Sequence, residues 1–288
     1  MKRTMMTVCG LLTLVAGAVD SSNIHGVLRV DSATTNTLIA IPWRGYAEFN
    51  DDRYDLLADR LVKPRNLTLG DELLLLDATG SQTFASWTLQ DVGKDGVRWS
   101  WVPGTTVRRR EDGSSSVFVA DAGTSVKRGY GLWLVRQNPV DADGKARPFY
   151  LHGQWTSGPQ DVSVFGISEG MRGIRGYDVA GYTMLANPDC THETDLNGDL
   201  EWDWSRIGTN DTVVISNDRN AAEYCFRREI RRGADKGKFS SRWYKAVVSG
   251  SEGGGTTTYT DVIKVPPGTG FWYVRREPGD LTVRWKVR

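Results

Sequence analysis

The sequence predicts an all-β protein with minor α content, built from two homologous β-sandwich or β-barrel units that arose by internal duplication. Two observations carry this. First, "GYGLWLVRQNP" at 129–139 returns as "GTGFWYVRREP" at 268–278, with six of eleven positions identical, 139 positions apart. The shared positions include Gly129/Gly268, Gly131/Gly270 and Trp133/Trp272, and tryptophan is too rare for such a match to arise readily by chance. Second, the composition holds 32 Gly, 11 Trp and 10 Tyr, with few long helix-forming runs. That is the make-up of a β-rich globular chain.

The N-terminus reads as a signal peptide over 1–18. Lys2 and Arg3 form a charged start, Thr7 to Val15 an apolar stretch, and Ala16-Gly17-Ala18 a small-residue cleavage box. The apolar run is shorter than the roughly 20 residues a membrane-spanning helix needs. The mature chain is therefore expected to be secreted (periplasmic, cell-surface or extracellular), with no membrane span. Its formal charge moves from +1 to −1 when Lys2 and Arg3 leave. A chain so balanced has no electrostatic reason to seek nucleic acid, and the basic runs at 108–112 and 226–232 carry their own acids.

The first unit is placed at 19–155. "TLIAIP" (37–42) is an apolar strand stopped by proline. "DDRYDLLADRLVKP" (51–64) sets Tyr54, Leu57 and Leu61 on one helical face and predicts a short helical insert. "GDELLLLD" (70–77) is a short continuous apolar run, as in a strand buried on both faces. Trp99 lies in the "RWS" strand at 98–100, followed by the motif strand at 129–139. Alternation there puts Trp133 and Val135 on one face and Leu132, Leu134 and Arg136 on the other, so both faces are apolar and the strand is central. The glycines before each Trp suit a tight turn or a close backbone approach.

A linker is expected at 156–176, where the surrounding stretch "GQWTSGPQDVSVFGISEGMRG" (153–173) has loop composition. The second unit, 177–288, repeats the order: "TMLANP" (183–188), a shorter helical turn at "LEWDWSRI" (200–207), "NDTVVISN" (210–217), Tyr224 matching Phe84, "RWY" (242–244) matching "RWS", a hairpin connection at 249–258 and the second motif strand. The alignment pairs Asp71 with Asp211 and Ala40 with Ala186.

Two cysteines remain after cleavage, Cys190 and Cys225, and in an oxidising compartment they are expected to form one disulfide. It would close a loop of about 35 residues, contributing roughly 3–4 kcal/mol in the chain-entropy view. The alternative is two buried thiols. The first half has Arg44 and Ala85 at the matching places.

No constellation in the chain points to catalysis. "DLNGDLEWD" (195–203) imitates the start of a calcium loop, but Leu200 stands where glycine is needed and Arg206 where the final acid belongs. It reads as a turn. His25, His152 and His192 have no counterparts in the opposite half and sit in no nucleophile or zinc motif. No cofactor and no metal are expected.

What remains is aromatic. Trp99/Trp243 and Trp133/Trp272 are duplicated and are expected to fill cores. Trp43, Trp101, Trp202 and Trp204 lack counterparts, which makes them the candidates for an exposed platform for sugar rings or an apolar partner.

The proline-ended "TLIAIP"/"TMLANP", the glycine-aspartate approach to an apolar strand, and the G-x-G-[LF]-W strand together resemble uncharacterised, signal-bearing duplicated β proteins of verrucomicrobial and related bacteria. The resemblance spans most of 37–285, implies export from a Gram-negative-type cell, and implies no activity. The expected function is that of a non-enzymatic structural or binding protein at the cell surface or outside the cell. The alternative is a carbohydrate-binding module. The expected partner is a polysaccharide or a cell-surface protein.

Overall fold

The computed structural model describes residues 25–30, 32–40, 43–44, 53–54, 67–76, 84–91, 99–103, 105–109, 115–119, 126–127, 129–155, 158–166, 181–189, 192–216, 222–249 and 256–286. Among the described residues every regular element is a strand, and the strand pairs are antiparallel. The first twelve are β1 (His25–Val30), β2 (Asn36–Ala40), β3 (Trp43–Arg44), β4 (Arg53–Tyr54), β5 (Glu72–Leu76), β6 (Phe84–Asp91), β7 (Trp99–Pro103), β8 (Thr105–Arg109), β9 (Ser115–Val119), β10 (Val126–Lys127), β11 (Gly131–Val135) and β12 (Phe149–Trp155). The rest are β13 (Gln160–Val164), β14 (Gly181–Ala186), β15 (Thr194–Asp195), β16 (Leu200–Trp202), β17 (Thr212–Ser216), β18 (Ala222–Phe226), β19 (Tyr244–Ser249), β20 (Thr256–Thr260), β21 (Lys264–Val265), β22 (Gly270–Arg275) and β23 (Leu281–Trp285).

Two sheets dominate. One runs β2-β11-β5-β6-β7, the other β14-β22-β17-β18-β19-β20. Each is accompanied by a three-stranded sheet, β1-β12-β3 and β13-β23-β16 respectively. The small sheets β10-β4, β15-β21 and β8-β9 complete the pairing. Both motif strands, β11 and β22, are central, as their two apolar faces require. Leu132, Leu134 and Arg136 are buried on one side of β11, and Phe271, Tyr273 and Arg275 on the same side of β22.

The main core lies between the six-stranded sheet and its three-stranded companion. Val213, Cys225, Phe271 and Tyr273 come from one layer, and Val162, Val164, Leu200, Trp202, Val283 and Trp285 from the other. Two-residue alternation places each of these inward. Trp243, fully buried, enters the same core just before β19.

Two sequence expectations are corrected here. Leu200–Trp202 is a strand paired with β23, not a helical turn, because Leu200 and Trp202 alternate around exposed Glu201 and bury on the sheet side. Of the helix expected at 51–64, Arg53–Tyr54 is a short strand paired with Val126–Lys127, and the remainder lies outside the described residues. Within the stretch of loop-like composition, Gly153–Trp155 closes β12 and Gln160–Val164 forms β13, which pairs with β23 along its length.

Each large sheet carries a buried carboxylate at the turn before its apolar strand. Asp71 Oδ2 accepts from the Thr68 N–H (2.8 Å) and Oδ1 from the Gln137 N–H (2.7 Å). Asp211 Oδ2 accepts from the Gly208 N–H (2.9 Å) and Oδ1 from the Arg276 N–H (2.7 Å). Each carboxylate thus ties the turn that starts an apolar strand to the end of the motif strand. Asp211 also accepts from the Tyr273 hydroxyl (2.8 Å) and Arg275 Nη1 (3.2 Å).

The two large sheets meet through the motif strands. The Ala40 N–H donates to the Gly268 carbonyl (2.8 Å), and the Ala186 N–H to the Gly129 carbonyl (3.0 Å). Bridges Ile39–Thr269 and Tyr130–Leu185 flank these bonds. Gly129 and Gly268 sit at φ 87° and 71°, where a side chain would be strained. Trp133 and Trp272 pack with centroids 6.3 Å apart over Leu38, Leu76 and Met184. The repeated glycines and tryptophans therefore lie at the junction of the sheets.

Candidate functional site

Of the four tryptophans expected to be exposed, Trp202 is buried and Trp204 is partly buried. Trp202 is only 7% accessible, donates its indole N–H to the Leu196 carbonyl (2.6 Å) and stacks on Tyr273 at 5.7 Å. Trp204 is partly buried, tilted against Trp202 and Trp243 beneath the Arg227 guanidinium. Their two-residue spacing does not give a shared exposed face, because β16 ends at Trp202 and the chain turns through Trp204 onto the core. Trp43 pairs in β3 with Trp155, and Trp101 pairs in β7 with Leu89.

Counting ladders from Asp71 and Asp211 gives places that differ from three sequence matches; Tyr224 falls at the place of Ser86, not of Phe84. Leu73 lies opposite Trp87 as Val213 lies opposite Cys225, so Trp87, not Ala85, stands at the place of Cys225. Thr88 lies opposite Val102 as Phe226 lies opposite Tyr244, so Trp101, not Trp99, stands at the place of Trp243.

Cys225 is a free thiol, fully buried in the core, and the expected disulfide is absent. Its inward position on β18 among Val213 and Tyr273 gives it the role of a small apolar residue. Cys190 lies outside the described residues; the nearby His192 ring is exposed, 3.3 Å from Asp189. Burial pushes the Cys225 thiol up to about 12. In a Cys190→Ser background the folded protein is expected to resist iodoacetamide and to react once urea is added; measuring thiol loss against denaturant checks this. Because the unfolded thiol ionises near pH 8.5 and the folded one does not, stability should fall as pH rises from there toward about 12.

The acidic stretch at 195–203 is consumed by local structure. Asp199 accepts from the Asp195 N–H (2.8 Å), and Asp195 from the Asn197 N–H (3.0 Å). Asn197 clamps the turn onto Trp243, donating to its carbonyl (3.0 Å) and accepting from its N–H (2.9 Å). Among the described residues no three His, Cys, Asp or Glu side chains gather as a metal site.

The aromatic surface lies elsewhere, on the outer face of the six-stranded sheet. Directly opposed residues of antiparallel strands share a face. Cys225 points inward, so Tyr224 and Phe226 point out. Tyr224 opposes Val214, which opposes Trp272; Phe226 opposes Tyr244; Tyr259 opposes Ala246, two residues from Tyr244. Tyr224 is 60% exposed, Tyr259 45% and Tyr182 36%. Phe226 and Tyr259 meet edge-on at 6.0 Å, and Arg228 lies over Tyr259 at 4.0 Å and Tyr244 at 5.5 Å. At the other end Tyr182 meets Trp272 edge-on at 6.1 Å. From β22 to β20 there are four strand spacings, a span of roughly 19 Å at about 4.8 Å each.

The other large sheet lacks this face. At the ladder places of Tyr224, Phe226 and Tyr244 it has Ser86, Thr88 and Val102. Attention to tryptophan alone misses the site. The signal was available in "AEYCFRRE", where an inward Cys225 fixes two outward aromatic residues and an outward arginine. Compared with known proteins, the chain matches no family model, no curated protein and no solved structure.

Proposed function

We propose that the chain is an exported, non-enzymatic glycan-binding protein, made from two copies of one two-layered β unit spanning about 25–155 and 160–285. The observation that carries the binding assignment is the row Tyr224, Phe226, Tyr244 and Tyr259 on one open sheet face. Tyrosine rings offer a flat apolar surface and a polar rim at low cost in side-chain entropy, which suits the faces and hydroxyls of linked sugar rings. The row lies on three adjacent strands, β18 to β20, roughly 10 Å across at about 4.8 Å per spacing, which fits two linked rings of a polymer.

The duplication is supported by the matched strand orders, by the paired carboxylates and by the reciprocal bonds Ala40–Gly268 and Ala186–Gly129. Such a contact, in which each unit offers the other the same groups, is that of a twofold pair joined in one chain. One copy kept a plain outer face and the other acquired the aromatic one. The pair forms a rigid scaffold and the second unit carries the ligand.

Retention of the mature 19–288 protein on a panel of insoluble and immobilised polysaccharides tests the reading. The protein is expected to be held by at least one glycan, and Tyr224→Ala is expected to weaken retention roughly tenfold or more, as for an aromatic anchor. Passage through every column, or retention that Tyr224→Ala and Tyr259→Ala leave unchanged, overturns it.

A further inference from the structure

Between β18 and β19 the chain leaves the sheet as a second hairpin, residues 227–242, and this hairpin adds charge to the aromatic face. Glu229 and Phe239 form its bridge; the Ile230 N–H donates to the Lys238 carbonyl (2.8 Å) and the Ser240 N–H to the Arg228 carbonyl (2.9 Å). Its tip turns through Gly233 and Gly237, at φ 86° and 87° with open space where a Cβ would stand. Arg227 anchors the base, donating to the Ile207 carbonyl (2.5 Å) and the Ser240 carbonyl (2.8 Å). The hairpin is thus a built element, held in a set direction.

Its charge is one-sided. Seven of its sixteen residues are Lys or Arg and two are acids. Asp235 is engaged by Lys238 (2.9 Å) and Arg242 by Asp261 (2.5 Å). Arg231, Arg232 and Lys236 stand exposed, and none of them makes an ion pair among the described residues. Arg228 links the hairpin to the face, since its backbone belongs to the hairpin and its guanidinium covers Tyr259.

We infer that the ligand is an anionic polysaccharide, its rings on the tyrosine row and its carboxylate or sulfate groups on Arg228, Arg231, Arg232 and Lys236. This rests on the glycan-binding reading and names the ligand class for the same face. Guanidinium forks match both carboxylate and sulfate oxygens, so the shared chemistry is a polymer bearing oxyanions. Charge complementarity selects it over a neutral glycan. A nucleic acid is disfavoured because its footprint is a basic groove along the whole strand, whereas here the excess positive charge belongs to one hairpin, 227–242, and the mature chain's formal net charge is −1.

The test uses the mature full-length protein with four probes: polygalacturonate, dextran sulfate, uncharged dextran and a thymidine oligonucleotide, each titrated at low and high salt. At least one anionic glycan is expected to bind tenfold or more tighter than dextran and to weaken as salt rises. The triple variant Arg231→Gln, Arg232→Gln, Lys236→Gln is expected to lose roughly ten- to hundredfold on that glycan. These residues are exposed, so the variant's melting temperature is expected to match the parent's. Equal binding of dextran and the anionic glycans, or an unchanged triple variant, overturns the inference and leaves glycan binding standing. Tighter binding of the oligonucleotide overturns it in favour of nucleic acid. No binding of any glycan overturns this inference and the glycan-binding reading together.

Discussion

Asp211→Ala is expected to destabilise the protein by about 3–5 kcal/mol, the range for removing one partner of a buried ion pair. The carboxylate is fully buried and receives four donors: the N–H groups of Gly208 and Arg276, the Tyr273 hydroxyl and Arg275 Nη1. Burial and this same carboxylate hold the Tyr273 phenol protonated, well above its ordinary range, so the hydroxyl remains a donor. Arg275, 3% exposed, keeps its bonds to the Gly279 carbonyl (2.8 Å) and the Arg206 carbonyl (2.9 Å) after the substitution, but its charge is left uncompensated in the core. Asp71→Ala is the internal comparison. Asp71 accepts the two equivalent backbone N–H groups, and its loss should cost less, about 1–3 kcal/mol. Urea unfolding of both variants measures the difference; the reverse order of stabilities would contradict the assignment of Asp211 as the more heavily engaged tie.

The second large effect is expected at the motif glycines. A Cβ on Gly270 would lie 2.6 Å from Leu38 Cγ, and one on Gly131 would lie 3.0 Å from the Leu185 carbonyl oxygen. Each of these contacts crosses from one large sheet to the other. A valine at either site overpacks the junction, at about 1–3 kcal/mol each. The two effects should not simply add, because both displace the same pair, Leu38 and Leu185. The double variant Gly131→Val, Gly270→Val is expected to lose about 2–5 kcal/mol and to expose Trp133 and Trp272, which pack together at that junction. A red shift of indole emission before global unfolding reports the opening. Unchanged emission and stability would mean that the sheets do not meet through these strands in solution.

The legibility of the chain follows from which features are local. The alternation of β11 and β22, the proline stops and the glycine approach are encoded within a few residues, and their strand assignments agree with the structure. The connection expected at 249–258 joins a strand pair, Tyr244–Ser249 with Thr256–Thr260, with Ser249 and Thr256–Thr258 belonging to the strands themselves. Leu200–Ile207 is ambiguous in the sequence because its spacing of apolar residues suits a helical turn as well as a strand, and the deciding partner, β23, is more than 75 residues away. The outcome for Cys225 turns on orientation: β18 points it at Val213 and Tyr273, and no spacing argument conveys that. Trp202 and Trp204 mislead for a related reason. The lack of a sequence match in the other half does not tell inside from outside: Trp202 is buried in the core, whereas Tyr224 is exposed. Register, which sets inside from outside, becomes visible only when the ladders are paired.

The most direct test of the binding face compares the two outer faces in one protein. Affinity electrophoresis of the mature chain in gels containing the glycan that retains it would be run with Tyr224→Ala plus Tyr259→Ala, and separately with Ser86→Ala plus Thr88→Ala on the other large sheet. The expected result is loss of retardation, roughly tenfold or greater in affinity, for the tyrosine pair alone. Equal loss for both pairs, or loss confined to the Ser86 and Thr88 pair, would contradict the assignment of the ligand to the outer face of the six-stranded sheet.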